Sequence, residues 1–355
     1  MRPMRALLFA NDGLGAGHLA RVLAIARALR RKVALLELML ATTSQADALL
    51  AVEPIASVRW PAPVMARRSG WPDNRRADVA ARVVRGAIEA FRPHLLVTDT
   101  FPFGPHGELS GVVRRVPRRA LVRRSVRPDR AAEAPPASGL RDYELAIVPD
   151  DPGRLAGEAL PMPVVRVPPI TLFEADEGLG REEARERLGL TGQERVILVC
   201  SGGGGDDDAA LDAARAAEAI ARIPRGPCPV LAMGPLARGV STPRGIRRLE
   251  QTPLQPLLAA FDGAIAPAGY NLAHELAKAG VPLVLFARPR PYDDQEGRAS
   301  RFEHAGIARA LTRIDDETVT AAVAWMERAP RPSIAAGGAD RAAEALLDLV
   351  AQGAA

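Results

Sequence analysis

Twice along this chain a short apolar run ends in glycines and gives way to a helix-forming stretch. The first is ALLFANDGLGAGHLARVLAIARAL at 6–29; the second begins RVILVCSGGGG at 195–205, and an alanine-rich helix follows. A run such as ALLFA suits a parallel strand buried on both faces, and glycines let the backbone turn tightly after it. Leu19, Val22, Leu23, Ala26 and Leu29 then recur at helical spacing. Strand, glycine loop and helix together open a doubly wound α/β sheet. Two such openings in 355 residues predict two domains, since one core rarely outgrows ~250–300 residues.

Further short apolar runs fill in both halves. VALLELM (33–39), HLLVTDT (ending at Thr100), RALVRR and ELAIVPD read as strands of the first. CPVLAMG (228–234), FDGAIAPAG (261–269) and VPLVLFARP (281–289) read as strands of the second, with NLAHELAKAG (271–280) a helix ended by glycine. RVPPITLFEADEG (166–178), with two prolines and an acidic stretch, is the best linker. The expected domains are therefore 1–168 and 169–355. The helical tail DRAAEALLDLVAQ (340–352) closes the chain and is free to pack back on the first domain.

Composition removes several classes. The chain is 48% hydrophobic and 25% charged, as in an ordinary globular protein. Its net charge of +5 is small beside 42 acids, which argues against nucleic acid as a partner. Only Lys32 and Lys278 are lysines, so the basic charge is almost all arginine. Cys200 and Cys228 sit in strand-like runs without metal spacing, as expected of buried thiols in a reducing compartment. The N-terminus turns polar too soon for a signal peptide, and no apolar run reaches the ~20 residues of a membrane span. A cytoplasmic protein is expected, with peripheral membrane contact still compatible.

Four motifs carry chemistry. In the first, Gly13, Gly15 and Gly17 lead into His18, which opens a helix at the carboxyl edge of a sheet, where ligands bind. A structural cap or surface histidine is the competing reading. In the second, Asp99 ends a strand at the same edge and could orient a histidine by accepting its ring proton; it could equally cap the following turn. His106 and Glu108 come shortly after, either lining the same cleft or lying on an exposed loop. The third is SGGGGDDD (201–208). Gly202, Gly203 and Gly204 could cradle a phosphate with backbone N–H groups. Asp206 to Asp208 resemble a metal-holding cluster, but are preferred as acids complementing a helix N-terminus.

The fourth is PAGYNLAHELAKAGVPLVLFARPRPYDDQ (267–295). Gly269, Tyr270 and Asn271 form a turn whose N–H groups start a helix, a diphosphate site by the dipole argument. Glu275 lies one turn further on the same face and can take both hydroxyls of a ribose. Asp294 and Gln295 follow the next strand and can hydrogen-bond sugar hydroxyls.

These stretches resemble the GT-B glycosyltransferases related to family 28, which includes the peptidoglycan GlcNAc transferase. A bacterial branch of predicted glycosyltransferases is closer still. DGLGAGHLARVLAIARAL, DTFPFGPHGEL, VCSGGGGDD and APAGYNLAHELAKAGVP…PYDDQ…RFEHAG carry the resemblance, in order, through both halves. The resemblance implies two Rossmann-like doubly wound parallel-sheet domains facing a cleft, the donor in the C-terminal one and the acceptor mainly in the N-terminal one. It implies Glu275 for the ribose, Gly269 to Asn271 for the diphosphate, and Asp294 with Gln295 for the donor sugar. His18 matches the base of related secondary-metabolite transferases and Asp99 its partner acid. The family's serine after the paired glycines is absent, since Gly202 to Gly205 run on.

The expected activity is inverting transfer from a UDP-sugar to a small-molecule or lipid-linked acceptor, without metal or cofactor. Gly15, Gly17, His106 and Glu108 are the candidate acceptor contacts. A UDP-sugar 2-epimerase on the same fold and a non-catalytic sugar-nucleotide-binding protein remain as alternatives. The arginine-rich stretch 114–130 would suit an anionic acceptor or a membrane surface, although a solvated face is the preferred reading.

Overall fold

The computed structural model describes residues 3–11, 15–124, 127, 137–152, 159–190, 194–237 and 241–353. Gly13 and part of the 114–130 stretch lie outside the described residues. The chain divides into two compact units. The first is Met1–Asp150, Ala156–Ile170 and Gly337–Ala355; the second is Asp151–Leu155 and Thr171–Ala336.

Unit one is a seven-stranded parallel sheet. Its strands are β1 (Met4–Ala10), β2 (Leu36–Thr42), β3 (Ala56–Arg59), β4 (Leu95–Asp99), β5 (Arg118–Val122), β6 (Leu145–Pro149) and β7 (Val164–Val167). They lie in the order β3-β2-β1-β4-β5-β6-β7. Helices α1 (Gly17–Lys32), α2 (Asp47–Leu50), α3 (Pro63–Arg68) and α4 (Asp73–Phe91) connect the first four strands. Every residue of β4 and the last five of β1 are buried, as a sheet covered on both faces requires. Met4 pairs with Leu36 of β2, so that strand starts three residues later than VALLELM suggests. Val33 is instead the extended residue that stops α1.

Unit two is a six-stranded sheet in the order β10-β9-β8-β11-β12-β13, again all parallel. After α5 (Arg181–Arg187) come β8 (Val196–Cys200), α6 (Asp207–Ala221), β9 (Cys228–Ala232), β10 (Arg247–Leu249) and β11 (Gly263–Pro267). There follow α7 (Tyr270–Lys278), β12 (Leu283–Phe286), α8 (Gln295–His304), β13 (Ala308–Leu311) and α9 (Asp316–Met326). Alanines 209, 210, 213, 216 and 217 form the buried face of α6, and their small size lets the helix lie close to the sheet.

The last helix, α10 (Gly338–Ala351), belongs to unit one and packs on α1 and on β5 to β7. Its buried face is Ala339, Ala342, Ala343, Leu346 and Leu349. A Cβ on Gly338 would come within 2.2 Å of the Pro168 carbonyl oxygen, so only glycine admits this close start. No helix among the described residues is long and apolar enough to cross a membrane.

In each sheet the strand order reverses once beside the first strand of the unit, between β1 and β4 and between β8 and β11. Ligands of open α/β sheets bind beyond the carboxyl ends of the strands at such a switch point. His18 and Asp99 follow β1 and end β4. The 202–204 glycines and the 269–271 turn follow β8 and β11. The first three motifs and the start of the fourth thus stand at switch points, while Asp294 and Gln295 follow β12 beside them.

Candidate active site

In unit one, the His18 ring Nδ1 lies 2.5 Å from Asp99 Oδ2. With the proton on Nδ1, the histidine donates to the carboxylate, and Nε2 keeps its lone pair. His18 keeps 19% of its side-chain exposure while Asp99 has none, so the histidine is the accessible member. Phe101 stacks on the imidazole, ring centroids 6.0 Å apart. Thr100 holds a left-handed φ of 68°, strained for a β-branched residue. Its N–H donates to the Val122 carbonyl at 2.8 Å, and its hydroxyl donates to Asp99 at 3.2 Å.

Asp99 also receives Arg21, which the sequence reading passed over. Nε donates to Oδ1 at 3.0 Å and Nη2 to Oδ2 at 2.7 Å, a two-pronged contact. Burial works to raise the Asp99 pKa, but the charges of Arg21 and His18 outweigh it and hold the carboxyl below the usual carboxylate range. The only sequence signal for Arg21 was its spacing, three residues after His18 and so on one helical face.

The remaining unit-one candidates divide. Gly15 has open space around it, and Gly17 is the first residue of α1. His106 is exposed, but Glu108 is 1% exposed, with both oxygens engaged. Asn11 Nδ2 donates to one and the His106 N–H to the other, each at 2.9 Å. Glu108 thus ties its loop to the end of β1. The described arginines at 114, 115, 118 and 119 all pair with Glu89, Asp142 or Glu144, so that face is largely neutralised.

In unit two, the helices after β8, β11 and β12 begin differently. Asp206 caps α6 by accepting from the N–H groups of Asp208 and Ala209, and Asp294 caps α8 by accepting from Gly297. No side chain caps α7, whose N-cap is Gly269 and whose first turn has no acid. An anion is therefore best received at α7. Gly204 and Gly234, which pack against each other's loops, have a packing reason to be small. A Cβ on Gly204 would come within 2.4 Å of the Ala237 nitrogen, and one on Gly234 within 2.0 Å of the Gly202 carbonyl oxygen. Asp206, Asp208 and Asp212 hold Arg288 and Arg290.

Around the α7 turn the named side chains are mostly occupied. Tyr270 is buried against His274, with centroids 4.1 Å apart, so its backbone is the part left for a ligand. Asn271 is half-buried on the first turn. Asp294 also accepts from Arg301 at 3.1 Å. Gln295 accepts from the Arg288 N–H at 3.0 Å and donates to Asp293 at 3.3 Å.

Glu275 is 6% exposed rather than open. Gln255 donates to its Oε2 at 2.8 Å, the Leu172 backbone also bears on the carboxylate, and Oε1 is buried. Burial pushes the Glu275 pKa up to about 7, against the pull of Gln255 and Lys278. A carboxylate so placed has capacity for a hydroxyl donor. Arg298, on α8, is wholly buried. It donates to the Ala268 carbonyl at 2.8 Å, pairs with Asp293 at 3.0 Å and Asp151 at 3.3 Å, and sits 5.4 Å from the centre of the Tyr270 ring.

No protein-family model matches the sequence, and no curated protein sequence does. Solved structures do match the chain along its length. The spinosyn rhamnosyltransferase SpnG, complexed with thymidine diphosphate, superposes with a TM-score of 0.62 at 21% identity, over 98% of this chain and 96% of its own. The fold is that of the GT-B glycosyltransferases. The calicheamicin glycosyltransferase CalG4 gives 0.62 at 19% identity over the whole of both chains. MurG of Acinetobacter baumannii gives 0.55 at 14% identity over 98% of this chain and 100% of its own.

Proposed function

We propose that the protein is a glycosyltransferase that moves a sugar from a nucleoside diphosphate sugar, a UDP-sugar, to a small-molecule or lipid-linked acceptor. The single observation that carries this is the His18–Asp99 hydrogen bond at the switch point of unit one. An imidazole fixed by a buried carboxylate is an arrangement for removing a hydroxyl proton. His18 takes the acceptor proton through Nε2, and Asp99 stabilises the imidazolium. The acceptor oxygen then displaces the nucleoside diphosphate at the anomeric carbon in one step, with inversion. Backbone N–H groups and the dipole at the start of α7 meet the negative charge of the leaving group, and no metal is required. Glu275 takes the ribose hydroxyls. The likeness to SpnG, whose structure holds thymidine diphosphate, supports a nucleotide donor. The 267–295 pattern supports uridine.

Calorimetry with UDP, TDP and GDP, followed by a turnover screen of the matching sugars with and without EDTA, tests the proposal. UDP is expected to bind tightest, and turnover to persist in the chelator. Tighter binding of TDP or GDP would replace the uridine assignment. Binding without turnover across an acceptor screen would make the protein a sugar-nucleotide-binding module.

Glu275 gives a second expectation. Its pKa is raised in the folded state, so the group costs stability as pH rises from its ordinary range through about 7. Glu275→Gln should therefore be more stable than the parent at pH 8, by on the order of 2 kcal/mol, and little different at pH 4. The same variant should bind UDP more weakly, because an amide is a poorer acceptor for two hydroxyls. Parent affinity for UDP should also fall below pH 7, since the carboxyl must lose its proton to accept them. Thermal unfolding and calorimetry across pH check both signs; unaltered UDP affinity in Glu275→Gln would remove the residue from the site.

A further inference from the structure

We propose that Arg21 is the positioning residue of the base: acting through Asp99, it fixes the carboxylate in the orientation that receives His18. The inference rests on the reading of His18 as base and deepens it. Arg21 is 1% exposed and lies one helical turn beyond His18 on α1. Its planar fork meets both oxygens of Asp99, at 3.0 and 2.7 Å. A two-pronged guanidinium contact sets the plane of the carboxylate, which a point charge does not. That plane directs Oδ2 to His18 Nδ1 at 2.5 Å. The hydroxyl of Thr100 adds a third donor from the strained residue next in the chain.

The charge matters as well as the geometry. Asp99 has no side-chain exposure, and a carboxyl with no solvent and no cation would hold its proton. A protonated Asp99 would accept from Nδ1 more weakly and could donate its own proton to the ring instead, so the imidazole would lose the partner that fixes its tautomer. Arg21 keeps the group a carboxylate; the lowered pKa of Asp99 is in line with this. The three side chains work as one relay of position, with only His18 placed to meet the acceptor.

The test is a double-mutant cycle in the full-length chain, with UDP release from the UDP-sugar as readout and UDP affinity measured in parallel. Arg21→Met is expected to lower kcat by about 10–100-fold, by analogy with the outer partners of metal-bound histidines, with UDP affinity unchanged. In the Asp99→Asn background the same change is expected to cost nothing further, because its effect runs through Asp99. Costs that multiply instead would overturn the proposal. Arg21→Lys, with charge but no fork, should recover part of the loss. Nitrogen NMR of the His18 ring supplies a readout free of activity. The tautomer protonated at Nδ1 should dominate in the parent and lose population in Arg21→Met; an unaltered tautomer would also overturn it. Should Arg21→Met fail to fold, the Arg21→Met/Asp99→Asn protein buries no lone charge and is compared with Asp99→Asn alone. Full turnover by His18→Ala would sink the base reading itself, and the NMR result would still decide whether Arg21 orients His18.

Discussion

Replacing His18 with alanine is expected to cut turnover by about 10²–10⁴-fold, the usual contribution of a positioned general base, while UDP affinity stays where it was. The separation follows from the fold. His18 belongs to unit one, and the proposed nucleotide contacts, the α7 turn and Glu275, belong to unit two. The loss should therefore appear in kcat. Asp99→Asn should show a smaller loss of the same kind. An asparagine can still accept from Nδ1, but it carries no charge to stabilise the imidazolium and leaves Arg21 buried without its anion. Steady-state kinetics beside UDP calorimetry reads both. A His18→Ala protein that lost UDP binding with its turnover would place the histidine in nucleotide binding or folding, not in proton transfer.

Arg298→Met should destabilise unit two by about 3–5 kcal/mol, the range for breaking a buried ion pair from one side. Arg298 has no exposure, and Asp151 beside it is 7% exposed. Burial works to lower the Arg298 pKa, but Asp293 and Asp151 outweigh it and raise it. Removing the guanidinium leaves Asp151 with Arg301 as its cation and leaves Asp293, whose side chain is 14% exposed, without its guanidinium partner. His274 offers little compensation, since burial pushes its pKa down to about 4 and keeps it neutral at physiological pH. Asp151→Asn should cost less, because Arg298 keeps Asp293 and the Ala268 carbonyl. Thermal unfolding followed by probes in unit two measures the difference. A loss under about 1 kcal/mol for Arg298→Met would mean that the carboxylates find other partners.

The sequence made the fold class readable because its central strands are buried on both faces and so appear as unbroken apolar runs. β1, β4, β8 and β11 all stood out in that way. The edge and near-edge strands did not. ASVR, VVRV, RRL and ARAL are three or four residues long, half-exposed, and each carries arginine. Helix α4 was legible but passed over: Arg76, Ala80, Val84 and Ile88 recur every fourth residue on its buried face. Within the candidate site, His18 and Asp99 could be found because each ends a glycine loop or a strand at the carboxyl edge. Arg21 could not, since one more arginine in an arginine-rich chain carries no mark of burial. The cap that Asp294 makes was hidden for another reason. It depends on what lies three residues away, here Gly297, where a Cβ would come within 2.0 Å of the Asp294 carboxylate.

The return of α10 to unit one makes that unit discontinuous along the chain. All strands and helices of unit two lie before residue 337, so that unit can complete its core without the last helix. Unit one cannot. Without residues 338–351, the apolar side of β5 to β7 that they cover is bare, although its strands come first in the chain. A fragment ending at residue 336 should hold a finished second unit and a first one still open to proteases and chaperones. By the same reasoning, a fragment cut at the linker would lack α10, so the first unit is better isolated by joining residues 1–170 to 337–355 than by truncation.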